Sequence, residues 1–412
     1  RLLDDQLSQF IPQLIADYES NSRVQHHGIN IELGRHLSRY IAEVIYQFSQ
    51  VRGFKHITYY FSSDIYKLRK LIEWFKQSDL VSDNEQFLIL MWLCNLVMVP
   101  FVLETVTENA SIEIYRLTLE KLQKFPHGSK NQLVALMLLS RLLSRYDQSK
   151  LLTEYCTDFQ QHWNSNRLGN MLIMNKLMKR IPKLEARVVD VVLLNMFDDS
   201  YNVEQCSTSE IVYIIKLINR SCQAYFQERL IPYYSISGMI DSLFKKVLRP
   251  LFILGQCDIN IRYAAAKSLA QIATTLSHYA SNYFDQLVQF VIDELDLPKI
   301  PNTFKEDLEI DFEVESIAKY QTVILFLGYL GFMHALPSSY VPQICSITHQ
   351  TLFFKQRNLN VMIGSQVRDS SCFVLWAMFK ALKKEEFTQV FAVETRQCIL
   401  YDLIKTTLYD EE

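Results

Sequence analysis

The sequence predicts an all-α chain, a HEAT/armadillo-type α-solenoid of stacked antiparallel helix pairs, and three observations carry that expectation. The first is scarcity of turn residues. The 412 residues include ten glycines and ten prolines, where an average chain of this length would hold about 50 of the two together. Sheets and nucleotide-binding α/β folds use glycine in hairpins and phosphate loops, so so poor a supply favours helices. The second is a 3.6-residue period that recurs along most of the chain. The third is self-similarity between two distant segments. With 49% hydrophobic residues, the chain has ample material for a buried core.

The elements follow in order. Residues 87–103 form a run without a charge, at the lower length limit for a membrane span. Asn95 at its centre, Pro100 near its end and flanking Asp83, Glu85 and Glu104 make it a helix sandwiched between neighbours instead. From residue 211, the spacing puts Ile211, Ile214, Ile215, Ile218, Cys222 and Tyr225 on one helical face, opposite Lys216, Asn219, Arg220 and Gln223. From residue 264, Ala265, Leu269, Ile272 and Leu276 oppose Lys267, Gln271 and Thr274. Residues 322–337 form a second membrane-like run, interrupted by Gly328, Gly331 and His334; it too is expected to be core, with His334 a core residue. Short polar joints fall at 78–85, 126–131, 146–150, 164–170 and 198–209, as stacked hairpins require. Residues 293–315 are acidic and carry Pro298 and Pro301. They are expected to form an exposed loop between repeats within one continuous array over 1–412.

The repeated segment is Ile261-Arg262-Tyr263-Ala264-Ala265-Ala266-Lys267-Ser268-Leu269, which overlays Val367-Arg368-Asp369-Ser370-Ser371-Cys372-Phe373-Val374-Leu375. Three successive small residues early in a helix allow a neighbour to approach closely. An Arg in the first turn opposes the helix macrodipole and needs another reason. A ladder between repeats, with Asp258 meeting an adjacent Arg, supplies one. Asp258, Arg262, Arg368 and Asp369 are therefore expected to serve repeat architecture.

Several chemistries are excluded. Lys+Arg 42 against Asp+Glu 45 gives a net charge of −3, without the cationic excess that duplex binding demands. Phosphate-loop, dinucleotide, zincin and nucleophile-elbow motifs do not occur. The eight cysteines lie far apart, with no Cys-x-x-Cys pair, and read as small apolar residues of a reducing compartment. His26, His27 and His36 lack ligand spacing. Neither an enzyme nor a cofactor is expected. The first residues carry no signal-peptide pattern. The sequence starts at Arg1, not Met, and a portion of a longer chain is expected. One cluster is left for a partner: Lys176, Lys179, Arg180 and Lys183, with Arg187 beyond. Its plain reading is a solvated helix face, and its sharper reading is a contact for an acidic protein surface.

Three stretches taken together resemble the tubulin-folding cofactor D family. They are Val51-Arg52-Gly53-Phe54-Lys55 with Leu90-Met91-Trp92-Leu93 and Val99-Pro100-Phe101; the Ile261–Leu269 segment; and Val367-Arg368-Asp369-Ser370-Ser371-Cys372-Phe373-Val374-Leu375-Trp376-Ala377. The third is the specific one. Tyr263, Ser268 and Val102 depart from the family's Trp, Gly and Asp, as in a divergent, fungal-type member. The resemblance implies the amino-terminal portion of a long helical solenoid that binds β-tubulin. It also implies work with cofactors E and C and an Arf-like small GTPase in assembling and dismantling the tubulin heterodimer. GTP hydrolysis would then be tubulin's, stimulated by the assembly. The implied setting is cytoplasmic and microtubule-associated, with neither nucleic acid nor membrane insertion. The alternative is a generic helical-repeat scaffold or transport adaptor.

Overall fold

The computed structural model describes residues 4–22, 30–77, 81–126, 128–162, 167–180, 206–227, 258–279, 281–293, 316–358, 361–382 and 393–409. The chain divides into two compact units, Arg1–Pro182 and Lys183–Glu412. The acidic stretch beyond Asp293, with Pro298 and Pro301, lies outside the described residues, as do His26, His27, Lys183 and Arg187.

The described part of the first unit contains α1 (Asp4–Ser22), α2 (Asn30–Arg52), the short α3 (Phe54–Thr58), α4 (Leu68–Lys76), α5 (Asp83–Leu96), α6 (Ala110–Lys124), α7 (Lys130–Leu143), α8 (Ser149–His162) and α9 (Arg167–Arg180). Helices α2, α5, α7 and α9 pack each against the next as a row, while α1 covers α2, α4 covers α5, and α6 and α8 cover α7. Successive row helices start 53, 47 and 37 residues apart, close to the length of one HEAT or armadillo repeat. The middle helices of such a row have neighbours on several sides, which explains the apolar run at 87–103. Helix α5 is buried all round, from Glu85 to Cys94 and again at Leu96. Asn95 is accommodated at its end, where the side-chain amide donates to the Phe61 carbonyl and Ser63 Oγ, each at 3.3 Å. The helix stops four residues before Pro100, earlier than the apolar run does.

A recurring device starts the row helices. Ser82 caps α5 by accepting the Glu85 N–H, while Glu85 Oε2 accepts the Ser82 N–H at 2.9 Å. Ser129 accepts the Gln132 N–H at 3.2 Å at the start of α7, and Gln132 Oε1 reaches back to the Gly128 N–H. Ser207 and Glu210 repeat the reciprocal pair in the second unit. Such boxes satisfy orphan amides of the first turn. The pattern Ser-x-x-Glu/Gln at 82, 129 and 207 was a readable signal that the periodicity argument did not use.

The described part of the second unit contains α10 (Thr208–Gln227), α11 (Ile259–Tyr279), α12 (Ser281–Asp293), α13 (Ser316–Phe332), α14 (Val341–Leu352), β1 (Gln356–Asn358), β2 (Val361–Ile363), α15 (Ser365–Ala381) and α16 (Val393–Tyr409). Here α10, α11, α13 and α15 form the row, with α12 on α11, α14 on α15 and α16 on α14. The antiparallel hairpin β1–β2 pairs Gln356 with Ile363 and Asn358 with Val361. This hairpin was not expected. It is a local connection between α14 and α15, and the core remains helical.

Two side-chain assignments change. Asn219, expected on the polar face of α10, is buried, and its amide donates to Gln271 Oε1 at 2.5 Å, tying α10 to α11. His334, expected in the core, is exposed with φ +56° just after α13 ends. Its N–H caps the helix by donating to the Gly331 carbonyl at 3.0 Å, so the apolar periodicity ends two residues before it. Among the described residues, no helix is long and apolar enough to cross a membrane.

Candidate partner-binding surfaces

Helix α9 holds the described part of the basic cluster. Met171, Ile173, Met174 and Leu177 are buried on it, Lys179 is exposed, and Lys176 and Arg180 are half-buried. The three do not lie on one open stripe. Arg180 turns toward the neighbouring row helices, with Nη1 3.4 Å from Met98 Sδ and 3.5 Å from Ser144 Oγ. Burial, and next the nearby Arg141, hold its pKa below the ordinary guanidinium value. Lys179 is the member of the described trio that is open to solvent.

Arg180 joins two arginines that sequence reasoning missed. Arg141 Nη1 donates to the Cys94 carbonyl at 2.6 Å, at the last turn of α5. Arg145 donates through Nη1 to the carbonyls of Val97 and Val99, and through Nη2 to that of Phe101, at 2.7, 2.8 and 2.6 Å. Its Nε and Nη2 also meet the two Asp147 oxygens at 2.9 Å each. A helix C-terminus leaves carbonyls without intrahelical partners, and one guanidinium fork satisfies three here. The clamp fixes the turn bearing Val99-Pro100-Phe101, one of the stretches that carried the family resemblance. It holds Met98, Phe101 and Tyr146 outward, exposed by 51%, 53% and 74%. The result is an apolar knob beside Arg180. Burial would raise the Asp147 pKa, but the hydrogen bonds and charge of Arg145 outweigh it and hold the carboxyl below its ordinary range. The readable signal was Arg141 and Arg145, four apart at the end of an otherwise apolar helix.

In the second unit, Arg368 is buried and Nη1 donates to the Phe354 carbonyl at 2.8 Å. Beneath it, Gly364 has φ +142°, and an added Cβ would lie 2.8 Å from the Phe354 ring and 2.9 Å from its carbonyl oxygen. Glycine is required there on both counts. Arg262 is also buried, with no hydrogen-bond partner for Nε among the described residues. The Asp258 carboxylate accepts the Asn260 N–H at 2.6 Å, capping α11 at its own start. Asp369 is exposed. Among the described contacts, Arg368 meets a backbone carbonyl, and Asp258 meets its own helix and lies near enough to Arg262 to favour its charged form against the burial that lowers its pKa. The small residues behave as spacers: Ala265, Ala266, Ser370 and Ser371 are buried, and Ser371 Oγ lies 2.8 Å from Thr351 Oγ1 of α14.

The thiols are core residues where described as buried. Burial pushes Cys94, Cys222 and Cys345 up to about 12, which keeps them neutral and poor nucleophiles.

Comparison with known proteins agrees on both units. Residues 1–163 match a family model described as tubulin-specific chaperone D-like, ARM repeat, and residues 232–412 match a second described as tubulin-specific chaperone D-like, ARM repeats. The chain is similar to tubulin-folding cofactor D of Schizosaccharomyces pombe, at 23% identity over 444 residues. The match covers 100% of this chain and 37% of that relative's length. No solved structure matches.

Proposed function

Because the chain belongs to the tubulin-specific chaperone D-like family, we propose that it forms part of a tubulin-folding cofactor, holding β-tubulin on the surfaces of its helix rows. The supporting observation is that each unit separately matches a model of this one family. In this reading the chain works with tubulin cofactors E and C and an Arf-like small GTPase in assembling and dismantling the tubulin heterodimer, in the cytoplasm and at microtubules. A stack of helices stabilises an unpaired subunit, or favours separation of a dimer, to the extent that it binds one state more tightly than the other. No catalytic group or cofactor of its own is needed. GTP hydrolysis within the assembly belongs to tubulin, and the chain contributes by holding the state that hydrolyses.

The basic residues Lys176, Lys179, Arg180 and Lys183 are assigned to acidic tubulin surface, with Lys179 leading because its ammonium is open to solvent. Asp258, Arg262, Arg368 and Asp369 are assigned to repeat architecture. The test is co-precipitation of the purified chain with tubulin, and separately with the small GTPase. Capture of β-tubulin that weakens at higher salt is expected. Failure to retain tubulin, with other cytosolic proteins held instead, would favour a generic helical scaffold or transport adaptor. For the lysine assignment, Lys179→Glu combined with Lys183→Glu should weaken capture without loss of helix content.

A further inference from the structure

We draw no further inference here: the strongest candidate, the apolar surface patch of Met98, Phe101 and Tyr146 at the turns that follow α5 and α7, carries nothing because nothing in the structure shows what covers it.

Discussion

The two units order a row of helices by different means. In the first, charged side chains tie down helix ends: Arg141 and Arg145 hold the carbonyls that follow α5, and Lys67 and Lys70 both meet Glu19 of α1, at 2.7 and 2.9 Å. In the second, where Arg368 on the Phe354 carbonyl is a clamp of the same kind, missing side chains also bring helices close together. Gly328 lies so near α15 that an added Cβ would come within 2.6 Å of the Phe373 ring, and Gly331 faces Ala377 at an ordinary 3.6 Å. Helix-end clamps depend on charge and therefore on pH. Close approach depends on volume and is indifferent to pH. The same repeat architecture can thus be specified through either set of forces, and each unit should fail under a different insult.

The sharpest way to break the close-packed unit is Leu269→Asp. Leu269 is 1% exposed on α11, so the variant loses its apolar burial and gains a buried carboxylate. A loss of about 4–5 kcal/mol is expected, measured by urea denaturation; an unchanged midpoint would mean this face is not core. Next in size is Arg145→Ala. It removes the fork from three carbonyls and leaves Asp147 without its ion pair, a loss of about 3 kcal/mol.

The Arg145–Asp147 pair carries a pH signature. The folded Asp147 carboxyl titrates below its ordinary value, so its contribution is present above about pH 4. As pH falls, the unfolded chain takes up the proton first, and the contribution disappears by the lower folded pKa. The stability gap between the wild-type protein and Asp147→Asn should therefore close between about pH 5 and the lower folded pKa, and a gap that widens on acidification would contradict the clamp.

Gly328→Ala comes third. The new methyl must displace the Phe373 ring, at about 1–3 kcal/mol, with no pH dependence beyond that of the parent. If the ring swings aside freely, the loss will vanish, and close approach will not be what orders this row. The smallest effect belongs to Lys179→Glu. On an exposed site it should change stability by no more than about 0.5 kcal/mol while reducing tubulin capture, so that affinity and folding separate in one variant.

Much of this architecture could be read in the chain. The buried faces of α10 and α11 follow from the spacing of Ile211, Ile214, Ile215 and Ile218, and of Ala265, Leu269, Ile272 and Leu276, all buried as that spacing requires. The polar joints preceded helices, and the helical parts of both membrane-like runs are core because they have neighbours on several sides, while Met98 and Phe101 of the first and Phe332 and His334 of the second are exposed. Where periodicity misled, the cause was local. Asn219 looks polar in a sequence, but an amide that finds Gln271 across a helix contact can be buried. His334 followed an apolar stretch, but the chain had already turned out of α13. Arg141 and Arg145 were visible as a pair, but their acceptors were not, because those are backbone carbonyls some 45 residues away in sequence, and a carbonyl has no letter.

The order of residues by itself determined the helical class, the helices' buried faces and their capped starts, because these depend on contacts within a few residues along the chain. Only the tertiary structure decided which side chains share a surface. It turned Arg180 toward Met98, brought Lys267 near Lys216, and stacked Phe332 on Trp376 from helices well separated in sequence. Those groupings arise from packing one helix against another, and the energies that select them come from burial and desolvation, which no single helix possesses alone.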